Sequence, residues 1–270
     1  MKGRPTFAIG CVLVAAVLAV AVVSVVWLPY DPSDTSGGRL APPGGAHPLG
    51  TDKLGRDLLT QLMIGARIAL TVGVGSVLVG GLLGVTAGLL AGFATRWLDD
   101  TISAVLDILI AFPTLLLAML VVAVRQASLG SAILAIGLAM SAVVARLTRV
   151  LVKRVLAEDY ITASRTSGTS WPRVVTEHVL PNIWPTLLVN LALQLGLAVL
   201  AEAALSYLGL GPPPPNASWG RLLQEAQATV LTAPTGAIAP GVLLVVLVVG
   251  VNLVADGFRD LADPTRRRSR

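Results

Sequence analysis

Three carboxylates lie within or at the ends of the apolar runs of this 270-residue chain: Asp107, Glu202 and Asp256. Ionisable groups in such runs are costly and mark ion paths, proton relays or paired sites. Asp107 follows Ser103 by four residues and Asp256 follows Asn252 by four, so each pair shares a helix face. All three carboxylates fall near run ends, where a carboxylate reaches water or a polar neighbour without doing chemistry. Asn190 and Gln194, also four apart, lie deeper. They fit the lining of a polar path and, equally, hydrogen bonding between helices. His47 and His178 fall on opposite sides of the membrane in the topology set by the basic residues, and cannot share a site. None of Lys2, Lys53 and Lys153 belongs to a phosphate-cradling glycine-rich loop. Neither G-x-S-x-G nor H-E-x-x-H occurs. Cys11 is the single cysteine, so an internal disulfide is excluded, and no Cys/His spacing suggests a metal. The residue types argue against catalysis by this chain alone and predict no catalytic residue, metal or cofactor within it.

What positions these residues is a set of apolar helices. Hydrophobic residues make up 54% of the chain and charged residues 13%, where soluble domains carry about 25% charge. An all-α integral membrane protein is the expectation. The net charge of +5 is no argument for nucleic acid, because loop placement in a membrane protein produces the same sign. A helix needs about 20 apolar residues to span the hydrocarbon core. Six runs qualify: Phe7–Leu28, Ile68–Phe93, Thr101–Val124, Ser131–Val152, Ile183–Leu205 and Ala239–Phe258. The first is too long for a signal peptide and lacks a small-residue cleavage site. Cys11 precedes most of it, which excludes a lipoprotein box. Trp27 and Tyr30 fit an interfacial anchor, so it reads as a retained span.

The positive-inside rule then places both termini in the cytoplasm, with Lys2, Arg4, Arg146, Arg149, Lys153, Arg154 and the arginines of the C-terminal tail. Arg39, Lys53, Arg56, Arg67, Arg125 and Arg221 fall outside, in the Asp31–Ala66 and Ser206–Ile238 segments and short turns. In the second run Ser76, Gly80, Gly84, Gly88 and Gly92 recur every fourth residue. That spacing lines small residues along one side of a helix and lets a neighbouring backbone approach closely.

The polar stretch Glu158–Pro185, "EDYITASRTSGTSWPRVVTEHVLPNIWP", interrupts this pattern on the cytoplasmic side. Glu158 and Asp159 favour a helix start through the dipole, and Gly168 is a natural stop. About three turns of helix are expected, with Pro172, Pro181 and Pro185 punctuating the residues beyond Gly168. Ile161 offers an apolar contact to a partner, and Ser164, Thr166 and Ser167 keep the helix soluble. An ordinary cytoplasmic loop and a partner-contact helix both fit these residues. On the outer side, "GTDKLGRDLLTQLMIG" reads as an amphipathic interfacial helix with Leu54, Leu58, Leu62 and Gly65 on one face. Asp52, Arg56 and Asp57 read as structural ion pairs. Pro212–Pro215 reads as a stiff polyproline stretch.

The segment "ITASRTSG…HVLPN" resembles the cytoplasmic coupling motif of binding-protein-dependent ABC importer permeases. Thr162 stands where that family has Glu, followed by Ala163, Ser164 and Gly168, and His178, Leu180, Pro181 and Asn182 match the closing part. "HPLGTDKLGRDLLTQLMIGARIAL", "LDILIAFPTLLLA" and "LSYLGLGPPPPNASWGRLLQEA" are similar to segments of the dipeptide/oligopeptide/nickel permeases, and the first marks the C-type subunit. The resemblance implies six transmembrane helices in the type I ABC importer permease fold, in the cytoplasmic (inner) membrane. It divides the chain into an anchor and extracytoplasmic segment over 1–66, a permease core over 67–264 with its coupling helix at about 158–170, and a basic tail over 265–270. It implies coupling to ATPase subunits through Tyr160, Thr162, Ala163, Ser164, Arg165, Gly168, His178 and Pro181. Pro213 and Trp219 would stand in the outer loop that receives substrate or docks a binding protein. The implied partners are a homologous second permease, two ABC ATPases that bind ATP and Mg, an extracytoplasmic binding protein and a peptide substrate. Nickel, glutathione or haem are the alternative cargoes. A stand-alone secondary transporter would show inverted repeats and broken spans with mid-membrane charges, and the sequence displays neither.

Overall fold

The computed structural model describes residues 3–213 and 216–262. Among them there are ten α-helices and no strand. The helices are α1 Gly3–Val26, α2 Leu58–Phe93, α3 Arg96–Ala111, α4 Thr114–Arg125, α5 Leu129–Leu156, α6 Asp159–Thr166, α7 Trp171–Val174, α8 Leu180–Tyr207, α9 Trp219–Ala226 and α10 Thr235–Ala262. Five stretches are long and apolar enough to cross a membrane: Pro5–Val26, Leu58–Phe93, Leu129–Leu156, Trp171–Tyr207 and Thr235–Asp260. The pair α3 and α4 makes a sixth if its bend is counted as one broken span. The basic tail, Pro214 and Pro215 lie outside the described residues.

The order of packing follows from the small residues. α2 sits centrally, with α5 along one side and α8 and α1 on others, and α10 lies against both α1 and α8. The predicted register of Gly80, Gly84 and Gly88 is the seam against α5. A Cβ on Gly80 would lie 2.8 Å from the Gly137 carbonyl oxygen, one on Gly84 2.7 Å from that of Ser141, and one on Gly88 2.5 Å from that of Ala145. Lipid gives two apolar helices no hydrophobic reason to associate, so this backbone-to-backbone approach supplies the contact. Gly10 and Gly250 do the same between α1 and α10, beside Leu253 and Leu13 respectively.

Several expectations are corrected. The run Thr101–Val124 is not one helix: it breaks between α3 and α4 with a 91° bend. Pro113 stands at the break and Phe112 before it is extended at φ −78°, ψ 131°. Proline removes a backbone donor and pushes the preceding residue out of the α region. The expected interfacial helix over 50–65 does not form separately. Its latter half is the start of α2, capped by the Asp57 carboxylate, which accepts from the Thr60 N–H at 2.8 Å. Leu58 and Leu62 are buried there. The boundary drawn at residues 66 and 67 therefore falls inside a continuous helix. Pro181 and Pro185 do not end a helix either, since both lie within α8. The chain stays helical from Trp171 onward through a π-helical turn at Val175–Val179, where the Leu180 N–H reaches back to the Val175 carbonyl. The widened turn directly precedes Pro181, which offers no N–H and would crowd the carbonyl four residues back.

Charges pin the elements at both ends. Asp99 on α3 is buried and takes Arg149 of α5 at 2.5 and 2.9 Å, with Lys153 of α5 on the same carboxylate. Asp107 pairs with Arg146 at 3.2 Å. At the opposite end Arg56 bridges Asp52 at 2.6 Å and Glu225 of α9 at 2.9 Å, and Arg221 joins Glu225 at 2.9 Å. His47 and Asp57 meet at 3.0 Å.

Candidate functional site

The most polar helix, α6, begins with Asp159 in its first turn and carries Arg165 in its last, both favourable to the helix dipole. It runs two turns rather than three. Its end is a Schellman turn: the Thr169 N–H bonds to Ser164 O at 3.1 Å and the Gly168 N–H to Arg165 O at 3.0 Å. Gly168 takes φ +90°, the left-handed conformation such a turn requires.

The two faces of α6 differ sharply. Ile161 is 3% exposed and packs with Val152, Val174, Val179, Ile183 and Leu187. It is thus a contact within the chain, not to a partner as expected from sequence. Thr162, Ala163 and Thr166 are exposed, and their spacing of three and four makes them one outward stripe. Tyr160, Ser164 and Arg165 turn to the sides. Ser164 Oγ lies 3.3 Å from His178 Nε2, and the Tyr160 ring meets the His178 ring edge-on at 5.9 Å. The Asn182 amide donates to Tyr160 OH at 3.3 Å and to His178 O at 2.7 Å. The Arg165 guanidinium sits 4.3 Å over the Trp171 ring, and Trp171 packs edge-to-face on Phe93 at 5.5 Å. Pro181 is exposed in the first turn of α8. So Tyr160, Ser164 and His178 come together, Arg165 pairs instead with Trp171, Thr162 and Ala163 face outward, and Gly168 sets the end.

Trp171 and Phe93 were not singled out by sequence. The Ser170-Trp171-Pro172 run carries a helix-start signal, which locates α7 but not the partner of its indole.

A second feature is a groove of about 500 Å³ between α4, α5 and α8. Asn190 and Gln194 line it together with Thr114, and Leu115, Met140 and Val143 supply apolar wall. Asn190 Oδ1 is buried there without a hydrogen-bond partner. Ser103 Oγ and Glu202 Oε2 share that condition. Glu202 faces inward at 1% exposure and accepts from Ser206 Oγ at 2.6 Å. Of the earlier candidates, Asp256 is exposed.

The outer-loop expectation divides. Pro213 is exposed. Trp219 is wholly buried, its indole N–H donating to Leu62 O at 3.0 Å while its ring fills the space beside Gly65. It anchors α9 to α2 and is not presented to a ligand.

Comparisons with known proteins converge on the same reading of the fold. The family model described as binding-protein-dependent transport system inner membrane component matches residues 84–268. The dipeptide transport system permease protein DppC of Alkalihalophilus pseudofirmus is 35% identical over 98% of this chain and 87% of that protein. The nickel transport system permease protein NikC of Escherichia coli K12 is 36% identical over 98% and 96%. The glutathione transport system permease protein GsiD of Pectobacterium atrosepticum is 38% identical over 82% and 74%. Among solved structures, an inward-facing MetNI methionine ABC transporter superposes with a TM-score of 0.63 at 23% identity, covering 75% of this chain and 97% of that one. The fold is that of the type I ABC importer permeases, and the chain belongs to the family of binding-protein-dependent transport system inner membrane components.

Proposed function

We propose that this chain is the C-type permease subunit of an ATP-driven importer that moves dipeptides or short oligopeptides into the cytoplasm by alternating access. The observation that carries the reading is α6. A short polar helix is held rigidly against the feet of three long spans by Ile161, while Thr162, Ala163 and Thr166 point away from the bundle. An element stiff on one side and free on the other is what a neighbouring motor can push. In this reading the α6 end and both termini face the cytoplasm, in agreement with the basic residues Arg149, Lys153 and Arg154. The α9 end faces outward, toward a substrate-binding protein.

ATP and Mg are bound by the partner ATPases and not by this chain. Nucleotide has higher affinity for the closed ATPase pair, and that difference shifts the population between inward- and outward-open forms. The groove carrying Asn190 and Gln194 forms this subunit's share of the pathway, opposite a homologous second permease. Its amides offer donors and acceptors to peptide groups from an otherwise apolar wall. Support for peptide cargo comes from the dipeptide relative and from a di/tripeptide permease of Pseudomonas aeruginosa at 38% identity. The nickel and glutathione relatives mark the second reading.

Uptake of labelled solutes by cells with and without this chain tests the proposal. Loss of di- and oligopeptide uptake on deletion is expected. Loss of nickel or glutathione uptake with peptide uptake unchanged would replace the peptide reading.

A further inference from the structure

We propose that α6 is tied to the bundle by two separable side-chain linkages, one to the foot of α8 and one to the foot of α2. Tyr160 and His178 would be the positioning residues of the first, Arg165 and Trp171 of the second. The inference rests on the reading of α6 as the element that an ATPase moves.

The first linkage lies across the π-helical turn. His178 sits within that turn, bonded through Nε2 to Ser164 and edge-on to the Tyr160 ring. Asn182, one turn further along α8, closes the set by donating to both Tyr160 OH and the His178 carbonyl. Between Trp171 and Tyr207 the described helix departs from α geometry only over Val175–Val179. Such turns are frequent at functional sites and interrupt the regular α-helical hydrogen-bond ladder. A shift of α6 is therefore delivered at the point where α8, the helix bearing Asn190 and Gln194, is able to yield.

The second linkage touches the same continuous helix only at its first residue, Trp171, and passes from there to α2. Arg165 covers the Trp171 ring and also donates to the Thr169 carbonyl. Trp171 in turn meets Phe93, the last residue of α2. α2 is continuous over its 36 residues, and at its far end Leu62 holds Trp219. Motion of α6 thus has a direct line to the end of the molecule where α9 sits. Ile161 alone would keep α6 docked but would not fix its direction, because apolar packing is non-directional. The ring and cation contacts have preferred geometries and do fix it.

The test is the number of solute molecules imported per ATP hydrolysed by the reconstituted complex with its ATPase subunits and binding protein. His178→Leu and Trp171→Leu should each lower that ratio by roughly 5-fold or more. The ATPase subunits should still copurify and hydrolyse ATP. His178→Asn, which keeps a polar group toward Ser164, and Trp171→Phe, which keeps a ring toward Phe93, should fall between wild type and the leucine variants. These milder variants decide the matter if leucine prevents accumulation. Wild-type ratios in all variants overturn the proposal. So does loss of ATPase binding in the variants, because the four residues would then shape a docking surface rather than a linkage. Failure of the wild-type chain itself to bind an ATPase would instead overturn the functional reading.

Discussion

At the scale of single residues, Gly168 is where local chemistry and proposed function meet most plainly. Its φ of +90° lies in the left-handed region, and nothing stands within 4 Å of the place a Cβ would occupy. A substitution there acts through the backbone and not through a clash. An L-residue forced left-handed costs about 1–2 kcal/mol, and a β-branched one is the least suited. Gly168→Val is expected to unwind the Schellman turn and leave ATP hydrolysis running without import. Gly168→Asn, which tolerates this conformation, should import nearly as the wild type does. Parallel assays of ATPase activity and uptake check the pair, and normal uptake by the valine variant would contradict the account of α6. Gly168 was legible from sequence because a helix stop is a local signal. The Trp171 partners were not, since Phe93 and Arg165 reach it only through tertiary packing. The burial of Trp219 was not legible for the same reason: the resemblance placed it in the outer loop, and only tertiary packing shows Gly65 making room for its ring.

At the scale of elements, the α2–α5 seam depends on glycine. Gly88→Leu would place a side chain into the Ala145 carbonyl and the Thr148 Cβ. Overpacking typically costs about 1–3 kcal/mol, and a backbone wall cannot move aside as a flexible side chain does. Gly241→Leu on α10, with open space around its Cβ, is the control. Thermal unfolding of the purified complex should show a clear loss for the first and little change for the second. Equal stability of both would show that the seam is not packed as described. This seam was readable in advance because a four-residue recurrence of small residues already states a face. The break between α3 and α4 was not, although Phe112-Pro113 was in view. Hydropathy over Thr101–Val124 is uninterrupted, and it reports composition rather than direction. The outward extension of α2 was missed because Asp57, read as an ion-pairing residue, is also its helix cap.

At the scale of the whole molecule, both ends are tied and the middle is left open. Ion pairs of Asp52, Arg56, Glu225 and Arg221 fix one end, and Asp99 with Arg149 and Lys153 fixes α3 to α5 at the other. Between them the groove on α4, α5 and α8 is lined by Asn190, whose Oδ1 has no hydrogen-bond partner. Tied ends, an exposed face on α6 and an open groove suit the proposed role of this chain as one subunit of a larger assembly. The most direct measurement of that claim is uptake by vesicles that contain this chain with its partner permease and binding protein, with and without the ATPase subunits. Accumulation of peptide against its gradient only when ATPase subunits and ATP are both present is the predicted result. Uphill accumulation in vesicles that lack the ATPases would contradict it.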